Sequence, residues 1–507
     1  MKRLGRTGAM LPGGRYASIG VRWHFMEPED LMQHMRAILP MLAAAALSGC
    51  STARDFLAGP NLPPAGRQGH VPGFLGGVAA EEPNAAAAAR AVLSAGGNAA
   101  DAAAAAGFVL SVTLPSRAGL GGGGACLVYH PRRDAPEAII FMPGVRQGSV
   151  TDGDRPAAVP LMARGLFALT TRMPGGRPFE EIIAPAEQMA RFGTTMSRTL
   201  LADIEAVREP LFRDPQIRAV FAPQGTVVPV GERFTNTDLA GTFTTLRTLG
   251  VADMYQGALS RRIETAMAEA GGGRISHDEL RNAVPALGPA TVIDGRGGER
   301  IALLPLDGGL AVGAAYRALA AGQGMQAAQA RALAVAAAAR AGVPGDAASL
   351  LDRADLPAGN LGTLPASTAL TVFDRTGGAV TCAFTMNNLF GTGRMMPGTG
   401  IIAAAAPGVG RVQPPLMSAA IAWAPNIRSL RAAISGSGQA DAPMAVAAPL
   451  NALVNQRLSP RDAVPVNTTA QGRTQFGGCS NYLPGSQSTC AAVSDARGTG
   501  VALGAVD

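Results

Sequence analysis

The sequence predicts a layered α/β fold, and three observations carry that prediction. Residues 178–285 read as a series of amphipathic helices whose apolar residues recur at three- and four-residue steps. Strand-like segments flank that helical run on both sides, and the chain from Ser367 onward is sheet-rich, opening with a β-hairpin. Strands flanked by long helical stretches bury their apolar faces most simply as packed layers. The 507 residues, 47 % of them hydrophobic and 16 % charged, suffice for one large core or two intimately packed layers.

In chain order, the alanine-rich stretch 85–106 predicts helix, interrupted at Ala95-Gly-Gly-Asn98, where one helix caps off and another begins. Strands are expected near 125–129 and 138–141. Helices are expected over 179–192, 197–208, 215–221, 237–248, 254–270 and 276–283. Two further strands, near 290–293 and 300–304, precede helices over 308–321 and 325–341. The tract 326–342 is low in complexity but helix-compatible, and no internal repeat is apparent.

The formal charge of +7 includes six Lys/Arg against three Asp/Glu in residues 1–50. The remaining surplus is spread out, and no basic run is interleaved with aromatics, which excludes a nucleic-acid partner. Residues 35–50 carry one positive charge, an apolar stretch from Ala37 to Leu47, and then Leu-Ser-Gly-Cys. That stretch is too short to span a bilayer and suits a signal-peptide core. Leu47-Ser-Gly-Cys50 resembles the bacterial lipobox, which makes Cys50 the lipidated residue, 35–49 a signal peptide and 1–34 an over-extended start. Ser51 fits outer-membrane, periplasm-facing anchoring, and a plain cleaved signal peptide is the alternative. Residues 50–76 then read as a tether. In that oxidising compartment Cys479 and Cys490 are a candidate disulfide, or else two buried thiols. Cys126 and Cys382 read as core residues of apolar strands, and no Cys/His spacing suggests a metal or cofactor.

The hairpin at 366–393 is the most informative segment. Its strands run over 369–373 and 379–384 about an Arg375-Thr-Gly-Gly378 turn. Folding between Thr376 and Gly377 sets Ser367 opposite Met386 and Thr368 opposite Thr385, so Thr385 and Asn387 come within reach of Ser367. A cut before Ser367 would leave hydroxyl and α-amine on one residue, the N-terminal-nucleophile arrangement with the amine as base. The five histidines all lie at or before His277, so no local motif supplies an imidazole. An ordinary hairpin with surface hydroxyls fits the same residues.

The segment resembles the start of the small subunit of γ-glutamyltranspeptidases, with its Thr-Thr-x-x-Ser, Asp-x-x-Gly-x-x-Val, Thr-x-Asn and Phe-Gly-x-Gly fingerprint. Anchored on Asp374, the family's nucleophilic Thr falls on Ser367, its second Thr on Thr368, and its supporting Thr and Asn on Thr385 and Asn387. A one-residue slip would make Thr368 the nucleophile. Ala95-Gly-Gly-Asn-Ala-Ala-Asp-Ala-Ala103, Gly119-Leu-Gly-Gly-Gly-Gly124, residues 179–186, Asp238-Leu-Ala240 and Gly504-Ala-Val-Asp507 match further family segments in consistent order.

The resemblance implies a four-layer αββα sandwich of the N-terminal-nucleophile hydrolase type. It also implies self-cleavage at Ala366–Ser367 into associated pieces, a large-subunit region 77–366 and a small-subunit region 367–507, and an acyl-enzyme on γ-glutamyl compounds such as glutathione or related amides. Ser435-Gly-Ser-Gly438 is similar to the family's oxyanion turn, with Gly436 and Gly438 as donors and Gln439-Ala440 where its glycine pair would fall. Several substrate ligands depart from the pattern. Met142 stands where the family has its carboxylate-gripping Arg, residues 401–409 contain no acid, and of the paired serines only Ser418 is kept. Arg117 and Arg394 are the candidate replacements. A non-catalytic outer-membrane structural or binding lipoprotein is the alternative function.

Overall fold

The computed structural model describes residues 71, 73–146, 153, 155–343, 348–360, 367–409 and 412–504. The expected start, signal peptide, Cys50, most of the tether, Ala366 and the last three residues lie outside the described residues. In chain order the strands are β1 (Gly76–Ala80), β2 (Gly123–Tyr129), β3 (Glu137–Phe141), β4 (Thr194–Thr195), β5 (Arg233–Phe234), β6 (Ala286–Pro289), β7 (Thr291–Asp294) and β8 (Arg300–Leu303). They continue as β9 (Ser367–Asp374), β10 (Ala379–Thr385), β11 (Met395–Met396), β12 (Ile401–Ile402), β13 (Ser418–Ala424), β14 (Ser429–Ser437), β15 (Arg473–Leu483), β16 (Cys490–Ser494) and β17 (Val501–Leu503). A seven-stranded sheet runs β17-β1-β9-β10-β2-β3-β6, and a six-stranded sheet runs β16-β15-β14-β13-β8-β7. The pairs β4–β5 and β11–β12 form two small ladders.

Side-chain alternation along the strands separates three cores and so defines four layers. Between the sheets, Leu127, Tyr129, Phe373 and Ala383 meet Ile421, Trp423, Leu430 and Ala433. The opposite face of the first sheet, with Leu370, Val372, Val380 and Phe384, packs under helices that include Pro83–Ser94, Ala99–Thr113 and Phe179–Phe192. The outer face of the second, with Ala420, Ala422, Ala432 and Ile434, packs under Asp307–Ala320, Met325–Arg340 and Ala442–Val454. The fold is therefore the αββα sandwich. Burial on both faces explains why β10 reads as a continuous small-apolar run rather than as alternation.

The local periodicity translates closely into helices. The stretches at 179–192 and 215–221 form helices with those bounds. The stretch 254–270 forms two, Asp253–Gln256 and Ala258–Glu269, because the Asp253 carboxylate turns back to accept the amides of Ala258 and Leu259 at 3.1 and 2.9 Å. The tether ends earlier than expected: Val71 and Leu75 are core residues, and Gly76 already belongs to β1.

Cys126 and Cys382 are buried as expected but are bonded to each other, since β2 and β10 are neighbours that set them in register. Their sequence separation of 256 hides the pairing. Cys479 and Cys490 are bonded across β15 and β16. Among the described residues no helix is long and apolar enough to cross a membrane.

Candidate active site

Asp374 fastens the hairpin that carries the site. Its Oδ1 accepts from the Thr376 amide at 2.8 Å, the Thr376 hydroxyl at 2.6 Å and the Gly378 amide at 3.1 Å, while Oδ2 accepts the Ala99 amide at 3.0 Å. The turn thus closes on three residues with Gly377 at φ +88°, and its centre is Thr376. That shifts the register by one residue from the expected pairing. Ser367 lies opposite Thr385, not Met386, and Thr368 lies opposite Phe384.

The shift matters because directly opposed residues share a face. Ser367 follows the alternation of Ala369 and Thr371 and, with Thr385, faces the second sheet; Thr368 faces the other way. Ser367 is 3 % exposed, and Thr368 and Thr385 are fully buried. The Thr385 hydroxyl accepts the Asn387 amide at 2.8 Å. Asn387 sits at φ +61° and donates its side-chain amide to the Ala405 carbonyl at 2.9 Å, which fixes the carboxamide orientation. Its Oδ1 is buried without a partner. The glycine run fits here because backbone approaches backbone: a Cβ at Gly122 would lie 2.4 Å from the Thr385 carbonyl oxygen.

The second sheet supplies the facing wall. The Ser435 hydroxyl donates to the Leu370 carbonyl at 2.9 Å and lies 3.0 Å from the Thr371 hydroxyl. Gly436 is not in a turn. It lies within β14, in register with Ser418 on one side and Thr474 on the other, so its backbone polar groups belong to the ladder. The turn begins at Gly438, φ +107°, where a Cβ would lie 2.2 Å from the Gln471 carbonyl oxygen. Ser418 is fully buried, with its hydroxyl donated to the Leu416 carbonyl at 3.1 Å.

A charge cluster absent from the sequence reading ties the two walls together. One oxygen of the buried Glu81 carboxylate accepts the Thr368 hydroxyl at 3.2 Å, and the other accepts the Ser437 hydroxyl. Arg117 stands 3.7 Å from Glu81 but forms a fork with Asp203, Nε–Oδ2 2.8 Å and Nη2–Oδ1 2.7 Å. Ser116 adds a 2.7 Å bond to the same aspartate. Arg117 is therefore neutralised by two buried carboxylates and is not a free cation for a substrate. Burial raises the Glu81 carboxyl above its ordinary range, against the opposing pull of Arg117, Ser437 and Thr368. Glu81 and Asp203 carry no local motif, and only their shared partner at Arg117 marks them.

Arg394 is half-buried just before β11, its carbonyl bonded to the Ala403 amide. Met142 packs against the inter-sheet core. Next to Asn387, a cavity of about 320 Å³ is lined by Asn388, Phe390 and Ala405, with Arg155 donating to the Thr392 carbonyl at its edge.

Four αββα layers with a hydroxyl residue heading a central strand define the N-terminal-nucleophile hydrolase fold. A cephalosporin acylase from Bacillus halodurans has the same fold, with TM-score 0.67 over 88 % of this chain and 98 % of that one at 19 % identity. The family model Gamma-glutamyltranspeptidase matches residues 85–339, about half of the chain, and the chain belongs to that family. Glutathione hydrolase 2 of Arabidopsis thaliana is 28 % identical over 187 residues, covering 35 % of this chain and 32 % of that protein. The glutathione hydrolase proenzyme of Bacillus subtilis is 28 % identical over 187 residues, covering 34 % and 32 %. The match spans about a third of each curated relative's length.

Proposed function

We propose that this chain is a self-processing amide hydrolase or acyltransferase acting on γ-glutamyl compounds or related acyl-amides, with Ser367 as nucleophile. The observation that carries the reading is the direct opposition of Ser367 and Thr385 on the inter-sheet face, where β9 begins and β10 ends. In processing, the Ser367 hydroxyl oxygen attacks the Ala366 carbonyl carbon and the Ala366–Ser367 C–N bond breaks. Water then hydrolyses the resulting ester, leaving a carboxylate on Ala366 and a free α-amine beside the hydroxyl of Ser367. That amine takes the hydroxyl proton as Ser367 attacks a substrate amide and returns it to the leaving amine. Water or an acceptor amine resolves the acyl-enzyme.

Thr385 and Asn387 position the reacting groups, and the cavity beside Asn388 suits an acyl or leaving group. The names of the glutathione hydrolase relatives support a γ-glutamyl donor. With Met142 in place of an Arg and Arg117 already paired, Arg394 is the remaining candidate to meet the α-carboxylate of a γ-glutamyl donor, and a related acyl-amide without that group is the other substrate class. The lipobox-like segment supports a periplasmic enzyme anchored to the outer membrane through lipid on Cys50; Cys50→Ala should release it from the membrane fraction.

The test is a reducing denaturing gel with intact masses of wild type and Ser367→Ala, followed by turnover of γ-glutamyl-p-nitroanilide. Two fragments from wild type and one chain from the variant are expected. An unbroken wild-type chain would overturn the proposal and leave the non-catalytic reading. A cleaved chain without turnover would move the substrate away from γ-glutamyl compounds.

A further inference from the structure

The cavity next to Asn387 holds one charge, and that charge has no task in the scheme above. Arg155 is half-buried, and its Nη1 donates to the Thr392 carbonyl at 2.9 Å. A Cβ on Gly393 would lie 3.1 Å from the same Nη1, so the guanidinium itself stands at the cavity wall. Among the described residues lining the cavity Arg155 alone is charged; most others, such as Leu211, Phe390 and Ala406, are apolar. Unlike Arg117, it forms no ion pair with a described residue. Its segment is tied to the site through backbone contacts. The Pro156 carbonyl accepts the Ala406 amide at 2.9 Å, and the Ala405 carbonyl accepts the Asn387 carboxamide at 2.9 Å. Residues 405–406 thus join the Arg155 segment to Asn387, which is bonded to Thr385, the register partner of Ser367.

We propose that Arg155 is the specificity-determining cation of this cavity, taking a carboxylate that the substrate carries on a short apolar arm and turning away an ammonium group. The assignment deepens the function proposed above and rests on Ser367 being the nucleophile. A guanidinium has five N–H donors, so those beyond the one given to Thr392 are enough to meet both carboxylate oxygens. Set among apolar groups, the charge attracts an anion more strongly than it would in water and repels a second cation. A volume of about 320 Å³ admits one arm of a small molecule, either the acyl half or the leaving amine.

The probes are neutral butyryl-p-nitroanilide and three relatives. Glutaryl-p-nitroanilide adds a carboxylate to the acyl half, γ-aminobutyryl-p-nitroanilide adds an ammonium there, and the butyryl amide of aminonitrobenzoate adds a carboxylate to the leaving half. Processed wild type should cleave one carboxylated amide at least about tenfold better than the neutral one in kcat/KM, and the ammonium amide worse than either. Preference for glutaryl places the anion in the acyl half; preference for aminonitrobenzoate places it in the leaving half. Arg155→Gln, which keeps a donor for Thr392, should bring the carboxylated-to-neutral ratio within about twofold of unity, mainly through KM. Arg155→Lys should hold it above that. The wild-type ratios decide the matter even where a variant fails to process. A processed wild type that prefers neither carboxylate or cleaves none of the four amides overturns the assignment alone, as does an Arg155→Gln enzyme that keeps the preference. An unbroken wild-type chain sinks the nucleophile reading beneath it.

Discussion

Ser367 and Thr385 are register partners at the end of the β9–β10 ladder, both buried and both on the face between the sheets. Thr368, one residue on, points to the opposite face and is engaged by Glu81. The two hydroxyls at the head of β9 therefore differ in reach. Thr368→Ala should still process and lose about 1 kcal/mol of stability from one buried hydrogen bond, measured by denaturant unfolding. Thr385→Val should process about a hundredfold more slowly, because the Asn387 amide loses its acceptor and the Ser367 corner loosens. Equal processing in Thr385→Val and wild type would refute that link.

The Cys126–Cys382 bond joins a residue before position 366 to one after it. After processing, the two pieces should migrate as one species on a denaturing gel without reductant and separate only when reductant is added. Cys382→Ser should separate in both gels.

Arg117 should behave as a structural cation. Arg117→Ala leaves Glu81 and Asp203 buried without their counter-charge and should destabilise the fold by about 3–5 kcal/mol. Arg117→Met in an Asp203→Asn, Glu81→Gln background should recover much of that loss, as read by thermal melting.

Asp101 gives a pH signature. It closes the capping box of the helix Ala99–Thr113, and burial pushes its carboxyl from the ordinary 3.8 up to about 6. The folded protein keeps a proton that the unfolded chain gives up, so this contribution is complete below about pH 4 and is lost as pH rises to about 6. The change is at most about 3 kcal/mol. Asp101→Asn should remove that slope; an identical pH–stability profile in wild type and variant would contradict it.

The helices and the existence of the hairpin were legible because both are written in short-range pattern. Three- and four-residue apolar steps specify helix bounds at 179–192, and Gly377 with Asp374 specifies a turn. The fully buried helix Ala442–Val454 was not legible, since a segment apolar all round has no period to read. Of the candidate site, Ser367, Thr385 and Asn387 came from one contiguous stretch and lie at one end of the hairpin, while Thr368 from the same stretch turns to the other face. Gly436 was misplaced because small polar strand residues look like a turn.

By itself, the sequence determined which stretches coil, which extend, and that a hydroxyl heads the strand beginning at 367. The one-residue register follows from the local bonds of Asp374 to Thr376 and Gly378, and tertiary structure ties that aspartate to a helix 275 residues away. Tertiary structure also decided the Cys126–Cys382 link and the Glu81–Arg117–Asp203 cluster. Local conformation follows from neighbours within a few residues, whereas pairing, charge balance and burial depend on partners that only packing brings together.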